Sequence, residues 1–115
     1  MSVCLHVGTV YQIEYGYPGI YGCDGKEALY KIFRMFNIPI TAIDCYDDEY
    51  EVERDDLRRL RKIIIENAPE LQEQVTEFEK TLSEATINKK QLITALDSLI
   101  NDSDQRNSNV FISWF

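Results

Sequence analysis

Side chains alternate along residues 3–15. Val3, Leu5, Val7, Thr9, Tyr11, Ile13 and Tyr15 take every second position, with Cys4, His6, Gly8, Val10, Gln12 and Glu14 between them. A period of two places the first set on one face of a half-buried strand. The stretch is long enough for one bent strand or for two strands broken near Gly8. The glycine-rich "YGYPGIYGCDG" follows, and within it Tyr17-Pro18-Gly19-Ile20 suits a type II turn with glycine where φ must be positive.

The period then lengthens. Asp24 and Glu27 stand at capping-box spacing, and Leu29, Ile32, Phe33 and Phe36 form an apolar stripe on one helix face. Asn37 and Pro39 end that helix. Residues 38–45 are short, apolar and partly β-branched, which predicts a second core strand. From about Glu51 the spacing is helical again, through Leu57, Leu60, Ile64, Ala68, Leu71, Val75, Phe78 and Leu82. Pro69 sits inside this run without an amide to donate, so a kink or a junction of two helices is expected there. Asn88 and Gln91 cap a further helix, with Ile87 and Leu92 at the staple positions. Residues 101–109 read as a surface loop. The closing "VFISWF", residues 110–115, reads as a buried strand.

This order predicts one α+β domain spanning residues 1–115. A small, mostly antiparallel sheet (an N-terminal strand or hairpin, strand 38–45 and C-terminal strand 110–115) packs against three to four helices on one side.

Composition narrows the function classes. The net charge is −8, which opposes nonspecific binding to nucleic acid or to an anionic membrane surface. No apolar run approaches the length of a membrane span, and the first residues lack the basic and apolar regions of a signal peptide. Three unpaired cysteines, Cys4, Cys23 and Cys45, fit a reducing cytoplasm.

The charge is local. Residues 44–56 hold Asp44, Asp47, Asp48, Glu49, Glu51, Glu53, Asp55 and Asp56 against Arg54 alone, a sum of −7, while the rest of the chain sums to −1. A solvated helix start explains part of this. Acids there complement the macrodipole, and Asp55 can pair with Arg59 one turn on. Asp44, Asp47, Asp48, Glu49 and Glu51 precede the expected helix, have no bases near them in sequence and repel one another within a Debye length of about 8 Å. Tyr46 and Tyr50 lie among them. Acids with tyrosines make a patch suited to a basic partner, so Asp44, Tyr46, Asp47, Asp48, Glu49, Tyr50 and Glu51 form the expected partner-binding set.

Catalytic and metal chemistry find weaker support. The oxygen ligands of Asp44, Asp47, Asp48 and Glu49 lack EF-hand spacing. His6 and Cys23 could form a base–thiol pair, yet nothing in the sequence brings them together. The glycine loop matches neither a phosphate-binding loop nor a dinucleotide fingerprint. Tyr11, Tyr15, Tyr17 and Tyr21 flank it and could stack on a partner. The expectation is therefore a non-enzymatic inhibitor without metal or cofactor. In its most natural form it is an immunity protein that masks the cleft of a basic, nuclease-type toxin. The alternatives are a phage-type inhibitor, a structural or regulatory homodimer pairing through a helix face or the 110–115 strand edge, and, remotely, a small enzyme using Cys23 and His6.

Overall fold

Period-two patterning needs a partner surface, and the helices supply it on one face of a single sheet. The computed structural model describes residues 3–10, 14–42 and 49–115. Its elements in chain order are β1 (Leu5–Val10), β2 (Glu14–Gly16), α1 (Gly22–Met35), β3 (Thr41–Ala42), β4 (Glu49–Glu53), α2 (Arg54–Glu66), α3 (Pro69–Glu84), α4 (Lys89–Asn101) and β5 (Asn109–Trp114). The strands form an antiparallel sheet in the order β2-β1-β5-β4-β3. The fold is α+β, with the C-terminal strand in the middle of the sheet.

The core lies between this sheet and the four helices. Leu5 and Val7 of β1, Tyr50 and Val52 of β4, and Val110, Ile112 and Trp114 of β5 pack in one cluster with the apolar stripes of α1 to α4. Helix α2 packs on α3 and α4, and α3 packs on α1, where Phe36 and Phe78 meet edge to face. Leu57, Leu60, Leu96 and Leu99 are wholly buried there. Burial of such a side chain stabilises by about 1.5–3 kcal/mol.

Several sequence expectations hold. Pro69 opens α3 at its first turn, after Asn67 closes α2 in the left-handed region at φ 49°. Asn37, also left-handed, follows the end of α1. The Asn88 side chain accepts from the Gln91 amide (2.7 Å) while Gln91 accepts from the Asn88 amide (2.9 Å), a complete capping box. Gly19 takes φ 99°, as the third position of its turn requires.

Others are corrected. The N-terminal strand runs through Gly8, and β2 returns as a hairpin partner, with the register shifting between Gly8 and Val10. Asp24 caps nothing: α1 starts at Gly22 from an extended Tyr21, and Asp24 lies in the first turn. Gly25 in that turn passes so close to Ile20 that a Cβ would meet its side chain at 2.9 Å. The 38–45 strand reduces, among the described residues, to Thr41–Ala42, with Ile38 contributing to the core from outside a strand. Residues 43–45 lie outside the described residues. The expected helix from Glu51 begins only at Arg54, because Tyr50 and Val52 turn inward at strand spacing.

The 101–109 loop is also more than a surface connection. Arg54 is buried and donates to the carbonyls of Asn107 (2.7 Å) and Asp104 (3.0 Å) and to Ser103 Oγ (3.0 Å). Its amide donates to Ser108 O, fixing the start of α2 to the entry of β5. The single cation counted against the acidic segment therefore serves the interior.

Candidate functional site

Because Tyr50 and Val52 face the core, Glu49, Glu51 and Glu53 stand on the opposite face of β4. The neighbouring β5 places Ser113 beside Glu49, Phe111 beside Glu51 and Asn109 beside Glu53. On the far side of β5, His6 of β1 pairs with Ser113. No described helix crosses this face of the sheet. Phe111 and Ser113 are nonetheless buried on this side, so Glu49, Glu51 and Glu53 border a face whose central strand is covered.

Aromatic rings cluster next to them. His6 stacks flat on Phe115, with centroids 3.7 Å apart and planes within 5°. Tyr15 meets Phe115 edge-on at 5.3 Å and lies 6.0 Å from Phe111, and Tyr17 is 6.2 Å from His6. Paired backbone bonds between Cys4 and Phe115 extend the β1–β5 ladder and hold the Phe115 ring at this spot. Tyr15, Tyr17 and Phe115 remain 37%, 56% and 59% exposed. Tyr21, exposed as well, pairs with Cys4 at the margin. The Tyr15 phenol is pushed above its ordinary pKa, first by burial and then by the Glu49 charge.

Charge divides by layer. Residues 1–21, 37–53 and 109–115, which include all five strands, contain no lysine or arginine and carry seven acids. All 12 cations belong to the helices or to the loop before β5, where they face 13 acids. The ion pairs among the described residues follow the same division. Asp55 pairs with Arg58 (2.9 Å), not with Arg59. Asp56 approaches Arg59, which also donates to Phe36 O and Asn37 O at the end of α1. Asp97 pairs with Arg61, and Asp104 with Arg106. Among the described residues no such pair reaches Glu49 or Glu53, and Glu51 accepts from Asn109 Nδ2 at 2.9 Å.

The expected partner-binding set therefore splits. Glu49 and Glu51 lie on the open face. Tyr50 does not: it is 1% exposed, and its hydroxyl accepts from the Trp114 indole N–H at 2.9 Å. Burial pushes its phenol well above the ordinary range. It is a core residue, packed on the inner face of the sheet. Asp44, Tyr46, Asp47 and Asp48 lie outside the described residues.

The row His6–Ser113–Glu49 holds the residue types of a nucleophile triad in an unsuitable order. Serine is in the middle, and the His6 ring lies on Phe115 with Nδ1 donating to Cys4 O at 3.1 Å. Cys23 is exposed on α1, lining an open groove with Lys26, Tyr30 and Arg34, while His6 is engaged on the sheet. The geometry does not join them. Among the described residues no three His, Cys, Asp or Glu side chains are placed to hold a metal ion, and no helix is long and apolar enough to cross a membrane.

Sequence reasoning missed Phe115 and His6 as parts of a surface. The alternation of "VFISWF" already separates Phe111, Ser113 and Phe115 from Val110, Ile112 and Trp114. Only the register with β1 shows what stands beside them. Comparison with protein-family models, curated proteins and solved structures returned no match to this chain.

Proposed function

We propose that this chain is an acidic inhibitor that binds a basic protein through the open face of its sheet and the adjoining segment 44–48. Its most natural form is an immunity protein that neutralises a nuclease-type toxin by occupying the phosphate-binding cleft. A phage-type inhibitor would use the same chemistry. One observation carries the reading: Glu49, Glu51 and Glu53 stand on the outward side of β4, and the segments that include all five strands hold no lysine or arginine, so a cationic surface of another molecule would complement this face. A cleft built for phosphates is a cationic surface of this kind, and opposite charge raises encounter rates by about 10- to 10³-fold.

In this reading the chain catalyses nothing and needs no cofactor. It acts in a reducing cytoplasm, where the Cys23 thiol persists. Homodimerisation through the edge of the C-terminal strand has lost its geometric basis, because β5 is flanked by β1 and β4. The test is affinity capture from the native cells at low and at high salt, followed by assay of the captured protein. The reading expects one strongly basic protein whose nuclease activity falls to zero at one equivalent of this chain. A captured protein that is acidic, or whose activity the chain leaves untouched, would refute it.

A further inference from the structure

We propose that Tyr15, Tyr17 and Phe115, with Glu49 at their edge, form a cradle for an arginine side chain of the partner. This rests on the reading above and names the group that enters the face. Three rings that are between a third and three-fifths exposed leave apolar area in contact with water, which favours covering them. A purely apolar occupant would bury the Glu49 carboxylate without a counter-charge, which is costly. A cation satisfies both. Guanidinium is planar and weakly hydrated, stacks on aromatic faces and donates a fork of N–H groups to a carboxylate, whereas an ammonium is a strongly hydrated point charge. The edge-on contact of Tyr15 with Phe115 and the position of Tyr17 beside His6 arrange rings around one spot. Glu49 supplies the negative end, since it stands beside Ser113, which pairs with the His6 that stacks on Phe115. No lysine or arginine lies on any strand to fill the place from within the sheet.

The experiment titrates the full isotope-labelled chain with octa-arginine and with octa-lysine peptides at low salt, following the aromatic resonances by NMR. Octa-arginine is expected to shift the Tyr15, Tyr17 and Phe115 ring signals saturably and to bind about threefold or more tighter than octa-lysine. Tyr17→Ala and Phe115→Ala, both at well-exposed positions, are each expected to weaken octa-arginine binding by about three- to fivefold. Equal affinity for the two peptides would overturn the cradle. So would undiminished binding by both alanine variants together with loss on Glu49→Gln, although the acidic-face reading would then survive. Failure of both peptides to bind would remove both readings.

Discussion

The two faces of the sheet are built from the same strands and satisfied in different ways. On the inner face Leu5, Val7, Tyr50, Val52, Val110, Ile112 and Trp114 are closed off by four helices, and the one polar pair, Tyr50 with Trp114, is complete within the chain. The outer face carries Glu49, Glu51 and Glu53 in a column beside half-exposed rings, and every cation of the molecule lies elsewhere. Folding resolves the first face. The second keeps Glu49, Glu53 and the rings of Tyr15, Tyr17 and Phe115 at least partly exposed, and such a surface is where function separates from stability.

Substitutions on the inner face should therefore cost stability, and those on the outer face should cost binding. The largest effect is expected at Ile112→Ala, which empties a wholly buried site. Denaturant unfolding should show a loss of about 2–5 kcal/mol. Arg54→Met comes next. It removes the buried guanidinium that donates to Ser103 Oγ and to the Asp104 and Asn107 carbonyls, and a loss of about 2–4 kcal/mol is expected in the same measurement. Tyr50→Phe removes the acceptor of the buried Trp114 N–H. It should cost about 1–3 kcal/mol and leave partner affinity unchanged, which sets this tyrosine apart from the acids that flank it.

By contrast, Glu49→Gln with Glu53→Gln should change stability by no more than about 0.5 kcal/mol. At low ionic strength the change should be a gain, because like charges on neighbouring outward positions repel. A large loss on this pair would mean that the outer face is already compensated within the chain. The smallest effect concerns pH. Arg106, through its side chain and its amide, holds the Asp104 carboxyl down to about 2. An unfolded aspartate titrates near about 3.9, so between these values the unfolded chain binds more protons than the native one. The contribution is fully present above the upper value and is lost as pH falls towards the lower. Asp104→Asn should flatten that part of the acid unfolding curve.

What could be read in the sequence followed the locality of each signal. The junction at Pro69, the Asn88–Gln91 box and the left-handed Asn37 depend on neighbours a few residues away, and they formed as their spacing dictates. "EYEVE" was misleading because its acids resemble a helix start, while its period of two, with Tyr50 and Val52 inward, describes a strand. Charge hid the alternation, and with it the burial of Tyr50. Arg54 looked like a partial answer to the surrounding acids. Its real partners are about 50 residues away in the 103–107 loop, a distance that local spacing does not reach. The aromatic patch is less legible still. It requires β5 to return between β1 and β4, so that Phe115 comes to His6 and Ser113 to Glu49. Of the seven residues expected at a partner site, the described ones divide by the pleat of β4: Glu49 and Glu51 stand outward and Tyr50 stands inward.

The most direct test is the association rate of the captured basic partner. It should be measured by stopped flow for the native chain and for the Glu49→Gln, Glu51→Gln, Glu53→Gln triple variant across a range of ionic strength. An acidic binding face predicts association that slows steeply with added salt, and a variant about tenfold slower at low salt whose rate barely responds to it. Equal rates and equal salt dependence for the two proteins would contradict the account.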